Sequence, residues 1–210
     1  MDDRTVIGLL HTSPVHVPTF DALLAGWATA VHVVDEALLA DARLRGADDA
    51  GVTAGVQRHL DVLADRGAVA TLCTCSTIGA GAERLGAMRV DRPMFAAAVR
   101  VGGPVTVVAA IESAVEPALD LLAEEAAAAG TDPGAHVLRC FDAWAAFEAG
   151  DGPGYHAALA AAIDALPAGQ TVVVLAQASM AGAAALVRTD RVVLSSPALA
   201  VAALLAGLER

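Results

Sequence analysis

The chain has 210 residues, enough for one large domain or two small ones, and is 56% hydrophobic with only 3% aromatic residues, so Ala, Val and Leu supply the core. A formal net charge of −11, unrelieved by any basic cluster or aromatic platform, argues against nucleic acid and anionic membranes as partners. All 13 basic residues are Arg, which rules out a lysine Schiff base to pyridoxal phosphate and a P-loop lysine.

Thr5 to Leu10 is a short apolar run, read as a first buried strand, and it ends in the polar cluster His11-Thr12-Ser13-Pro14-Val15-His16. Thr19 to Val31 and Asp35 to Arg45 read as helices, Gly46 to Gly51 as a turn, and Val52 to Arg66 as a helix with Val56, Leu60, Val62 and Leu63 at helical spacing. Gly67 closes that helix, and an apolar strand then leads into Cys73-Thr74-Cys75-Ser76-Thr77 and a small-residue helix. Asp91 reads as a solvated or capping acid, and Pro93 opens a helix to Arg100. Val105 to Ala110 is a second buried strand, followed by a helix over Ser113 to Ala129. Gly134 to Cys140 reads as a strand, and Asp142 to Gly150 and Tyr155 to Ala165 as helices.

The run from Ala165 to Val187 carries no charge, but Pro167, Gly169, Gln170, Gln177 and Ser179 interrupt it. It therefore reads as a buried strand, Thr171 to Ala176, followed by an Ala-rich helix rather than a membrane span. Val192 to Leu194 is a last strand, and Ser195-Ser196-Pro197 caps a helix over Ala198 to Leu208. Short apolar strands alternating with helices predict an α/β protein with parallel sheets. Polar turns recur after Leu10, Leu72, Ala109 and Leu175, a rough internal echo that suggests two similar halves. In such sheets, sites lie at the carboxyl ends of strands, where these turns fall.

Cys75 is the sharpest chemical signal. A thiol at a strand end and helix N-terminus can act as acid, base or nucleophile, and Thr74, Ser76 and Thr77 beside it can hold an anion. The alternative for Cys75 is a small buried hydrophobe. Cys73 and Cys140 read as packing residues, and no His or second Cys pair stands at metal-ligand spacing. Three cysteines without a targeting sequence in Met1-Asp2-Asp3-Arg4 point to reduced thiols and a cytoplasmic location. The two histidines after the first strand, His11 and His16, read as hydrogen-bonded structural residues or as pocket lining. Ser13 and Ser179 read as helix caps or substrate contacts, and Gln177 as a strand cap or hydrogen-bonding partner. His32, His59, His136 and His156 read as surface or packing residues.

Three segments in order resemble the aspartate/glutamate racemase superfamily, which includes amino acid and hydantoin racemases, maleate isomerase and arylmalonate decarboxylase. Ile7-Gly8-Leu9-Leu10-His11-Thr12 resembles the family's first strand and its turn, Cys75-Ser76-Thr77 its Cys-Asn-Thr element, and Leu175-Ala176-Gln177-Ala178-Ser179 its Leu-Gly-Cys-Thr-His element. The resemblance implies two pseudo-symmetric, parallel-sheet, flavodoxin-like halves with a cleft between them. It places residues 1–95 with 192–210 in a first half carrying Cys75, and residues 96–191 in a second carrying Gln177, on opposite cleft walls. It further implies a cofactor-independent enzyme moving a proton beside a carboxylate. Cys75 and His11 would be the reacting and supporting groups, and Ser13, Thr74, Ser76, Thr77, Gln177 and Ser179 would contact a small carboxylate substrate. The sequence departs from the family where the second cysteine is Gln177, the last His is Ser179 and the first-strand Asp is His11. One matched thiol also fits a decarboxylase with Cys75 as proton donor, a covalent isomerase, or a carboxylate-binding protein without turnover. A homodimer is the base expectation for a soluble enzyme.

Overall fold

A computed structural model describes residues 5–169 and 171–209; the N-terminal tetrapeptide and Gln170 named above lie outside the described residues. The chain divides into two compact units, residues 1–90 with 197–210, and residues 91–196.

In the first unit, β1 (Val6–His11), β2 (Thr29–Val34), β3 (Ala70–Cys73) and β4 (Met88–Arg89) form a parallel sheet in the order β2-β1-β3-β4. This is the flavodoxin-like order for the strands present. The strand alternation of β1 feeds two cores. Ile7 and Leu9 pack with Phe20 and Leu24 of α1 (Val17–Leu24) and with Ala200, Val201 and Leu204 of α9 (Ser196–Leu208). Leu10 points the other way, among Leu38 of α2 (Glu36–Arg45), Val56, Leu60 and Leu63 of α3 (Ala50–Asp65) and Ile78 of α4 (Ser76–Arg84). Gly8 shares that face because nothing larger fits: a Cβ there would stand 2.7 Å from Thr71 Oγ1 and 3.1 Å from Leu63 Cβ. Both α2 and α3 begin at Asp caps, Asp35 accepting from Ala37 N (3.0 Å) and Asp49 from Gly51 N (2.8 Å).

The second unit repeats the plan. β5 (Val105–Ala109), β6 (Ala135–Arg139), β7 (Val172–Leu175) and β8 (Val192–Ser195) are parallel in the order β6-β5-β7-β8. Val108, Val173 and Leu175 pack with Tyr155, Leu159 and Ile163 of α8 (Gly152–Asp164) and with Met180. The helices α5 (Arg92–Val101) and α6 (Val115–Ala129) pack together, with Arg92 bridging Glu124 (2.8 Å) and Glu125 (2.6 Å). A short α7 (Trp144–Glu148) precedes α8.

Several expectations change. Thr19 to Val31 is not one helix: α1 ends at Leu24, and Thr29–Val34 becomes β2 because its β-branched run pairs along the whole of β1. The two-residue β4 carries no apolar run of its own and escapes the sequence pattern. The stretch after β7 is a 3₁₀ helix, Ala178–Ala185, rather than an α-helix. The half boundaries shift as well. β8 hydrogen-bonds along β7, so residues 192–196 belong to the second unit, and α5 brings residues 91–95 with it. Asp91 is fully buried rather than solvated, and stands at the N-cap position of α5, the other role expected of it. No helix among the described residues is long and apolar enough to cross a membrane.

Candidate active site

The ends of β1 and β3 carry the polar groups of the first unit. Register pairs Leu10 with Cys73, and Thr74 N–H then donates to Leu10 O (3.0 Å), so the two chains stay together one residue beyond the ladder. Cys75 follows as the N-cap residue of α4, with extended backbone (φ −103°, ψ 116°), and is 9% exposed. Ser76 and Thr77 are the first two helical residues and are buried. The thiol thus sits where first-turn backbone N–H groups and the helix dipole favour a negative charge. Cys73 is fully buried, its S–H directed at Cys75 O (3.7 Å), which fits the packing role expected of it.

His11 is completely buried, yet both ring nitrogens are engaged. Nδ1 lies 2.8 Å from Thr74 Oγ1, and Nε2 lies 2.9 Å from His32 Nδ1. The His32 ring lies beside it and nearly coplanar, at 18° with centroids 5.1 Å apart, and Phe20 closes a third side at 5.7 Å. Burial, reinforced by the neighbouring His32 and His16, pushes the His11 imidazole down to a pKa of about 3. The His16 ring, 6.3 Å from that of His11, is pushed down to about 4 by burial. Both are neutral at pH 7. Ser13 is half-buried and occupies the N-cap position of the 3₁₀ turn Pro14–His16, but its hydroxyl makes no capping bond.

The second unit has the same backbone and different side chains. Ala176 N donates to Val108 O (3.0 Å) just as Thr74 N donates to Leu10 O, and Cys140 N donates to Ala109 O as Asp35 N does to His11 O. By this correspondence Gln177 stands where Cys75 stands, two residues beyond its strand and at the N-cap of the next helix. Ala109 and Ala176 stand where His11 and Thr74 stand. Gln177 Oε1 accepts from Ala110 N (2.7 Å), leaving its Nε2 hydrogens as what it can offer a ligand. Ser179 does not cap; its Oγ lies 3.1 Å from Tyr155 OH, and its carbonyl accepts from His156 Nε2 (2.9 Å). Burial raises the Tyr155 phenol to about 12, so it stays protonated. Burial also pushes the Cys140 thiol up, as suits a packing residue.

The structure therefore gathers His11, Thr74, Cys75, Ser76 and Thr77 at one strand-end edge, and Gln177 with Ser179 at the equivalent edge of the other unit. Sequence reasoning missed His32 and Asp21, which joins His32 at 3.0 Å. The missing signal was β2: once Thr29–Val34 is a strand beside β1, His32 pairs with Leu9 and falls next to His11. Among the described residues, no cluster of three or more His, Cys, Asp or Glu side chains could hold a metal ion.

No protein-family model matches the sequence, and no curated protein matches it. Solved structures do match in fold. Aspartate racemase of Picrophilus torridus superposes with a TM-score of 0.71 at 11% identity, covering 98% of this chain and 94% of that one. Glutamate racemase of Francisella tularensis, in complex with D-glutamate, gives 0.68 at 14% identity, covering 100% and 82%. A variant of arylmalonate decarboxylase in a sulfate-associated form gives 0.58 at 17%, covering 96% and 93%. The chain has the two-domain α/β fold of these enzymes.

Proposed function

We propose that this protein is a cofactor-independent enzyme of the aspartate/glutamate racemase type, moving a proton at a carbon next to a carboxylate with Cys75 as the reacting group. The observation that carries the reading is Cys75 at the N-cap of α4, directly after a Thr74 that His11 holds. The Cys75 thiolate would take the α-proton, becoming a thiol and leaving a planar enolate-type anion; the thiol would then give a proton to the opposite face of the turned anion, or to a conjugated carbon, which completes the isomerisation and restores the thiolate. Ser76, Thr77 and the first-turn N–H groups of α4 would hold the substrate carboxylate, with Ser13 as a further contact.

One observation favours a second reading. The position equivalent to Cys75 is Gln177, which neither gives nor takes a proton, and its strand-end neighbours are Ala109 and Ala176. A reaction that needs a single proton donor suits this asymmetry: loss of carbon dioxide from a malonate-type acid, with Cys75 protonating the resulting enolate.

The test is incubation in D2O with amino acids, hydroxy acids, malonates, maleate and hydantoins, followed by proton NMR, with Cys75→Ala alongside. Deuterium at an α-carbon supports the first reading, and a lost carboxyl group the second, in each case only if absent in the variant. Turnover that survives in Cys75→Ala sinks both. Dicarboxylate binding by calorimetry without conversion of any compound would leave a binding protein.

A further inference from the structure

We propose that Asp21, His32, His11 and Thr74 form a proton relay that joins solvent to the end of β3, where Cys75 follows; its purpose rests on the reading of Cys75 above. The four side chains come from α1, β2, β1 and the residue after β3, and are linked by three hydrogen bonds: Asp21 Oδ1 to His32 Nε2 (3.0 Å), His32 Nδ1 to His11 Nε2 (2.9 Å) and His11 Nδ1 to Thr74 Oγ1 (2.8 Å). Exposure rises along the chain, from the buried Thr74 and His11 to His32 at 17% and Asp21 at 55% of the side chain. One end is therefore dry and the other wet.

The partners allow two complete proton arrangements. In the first, Thr74 O–H donates to His11 Nδ1, His11 Nε2–H to His32 Nδ1, and His32 Nε2–H to Asp21, with both rings neutral. In the second, Thr74 O–H turns to Leu10 O, which lies 3.2 Å away. His11 Nδ1–H then donates to Thr74 Oγ1, His32 Nδ1–H to His11 Nε2, and His32 Nε2–H still to Asp21. The second holds one more proton than the first.

Passage between them balances atom by atom. A proton arriving at Thr74 Oγ1 releases the hydroxyl's own proton to His11 Nδ1. His11 passes its Nε2 proton to His32 Nδ1, and the added charge comes to rest on a His32 imidazolium against the Asp21 carboxylate. Water at the exposed end then removes the His32 Nε2 proton, and a change of tautomer in both rings restores the first arrangement; the reverse sequence delivers a proton. His11 suits the middle position because its burial disfavours holding charge itself. The surrounding groups are His16 and Phe20 beside the His11 ring, Arg66, whose Nη1 donates to His32 O (3.1 Å), and Asp35, engaged separately with His59 Nε2 (2.7 Å). These relay residues are positioning groups, and Cys75 is the reacting group they serve.

The test is the pH profile of Cys75 alkylation by iodoacetamide from pH 5 to 10, read residue by residue by mass spectrometry, in the wild type, Asp21→Asn, His32→Gln and the control His59→Gln. A thiol that hands its proton into the relay loses that acceptor path when either outer member is replaced. The Asp21→Asn and His32→Gln profiles should move to higher pH, with alkylation at pH 7 slowed about three- to tenfold, while His59→Gln, which breaks a His–Asp pair outside the relay, leaves the profile in place. Superimposed profiles, an equal shift in His59→Gln, or a Cys75 that alkylates at no pH would each overturn the relay. The assay needs no substrate, so absence of Cys75-dependent turnover would remove the proposed function without deciding the relay, and the alkylation profile would decide the relay alone.

Discussion

Acid should unfold the first unit through His11, and the size of the effect follows from its environment. The imidazole titrates near 6.5 in an unfolded chain and at about 3 in the fold. Between those values the unfolded chain binds more protons than the folded one, so stability is fully present above pH 6.5 and falls as pH drops towards 3. Linkage puts the loss between pH 7.5 and pH 5 at about 2 kcal/mol from His11. His16, at about 4 in the fold, contributes a further loss of about 2 kcal/mol over the same interval. The His11→Asn variant abolishes the first share and keeps the second. It also loses basal stability, because Thr74 and His32 lose a partner, so the quantity to compare is the difference between the two pH values within each protein. Urea unfolding followed by far-ultraviolet circular dichroism at pH 7.5 and pH 5 supplies it, and hydrogen exchange at β1 amides assigns the change to the first unit. The wild type should lose about twice what His11→Asn loses, an excess of about 1 M in urea midpoint for a slope of about 2 kcal/mol/M. Equal losses in the two proteins would refute the account of His11 as a buried neutral group.

Other substitutions test the packing and the caps. Gly8→Ala should cost about 1–3 kcal/mol, because its methyl group would meet Thr71 Oγ1 and Leu63 Cβ; an unchanged melting temperature would show that α3 yields freely. Gln177→Ala should cost about 1–3 kcal/mol by leaving the buried Ala110 N–H without its acceptor, and denaturant unfolding that matches the wild type would speak against that tie. Asp35→Ala removes both the α2 cap and the partner of His59, so a loss of about 1–2 kcal/mol is expected, read as faster exchange of the first amides of α2.

The sheets were legible where a strand is a continuous apolar run. Ile7 to Leu10, Val105 to Ala109 and Val172 to Leu175 are buried on both faces and stand out for that reason. β2 was not, because it lies at a sheet edge: its residues are mostly half-buried, and Thr29-Ala30-Val31-His32 continues the apolar spacing of α1. That one misreading concealed the partners of His11. The assignment of β8 to the wrong half has a different cause, since which sheet a strand joins depends on pairing that its own four residues do not encode. Cys75, Thr74, Ser76 and Thr77 could be singled out because strand, thiol, hydroxyls and helix start are contiguous. Asp21 could not, because its role arises from a neighbour 11 positions away on another element.

The strand-end bonds common to both units, Thr74 to Leu10 and Ala176 to Val108, use main-chain atoms only. Any residue at 74 or 176 except proline, which lacks the donor N–H, can make them. The same main-chain bonds thus carry a histidine–threonine pair with a thiol at one tip, and two alanines with an amide at the other. On such a framework the chemistry of one tip is independent of the main-chain bonds that hold the other, so two ends with the same backbone can differ wholly in what they offer a ligand.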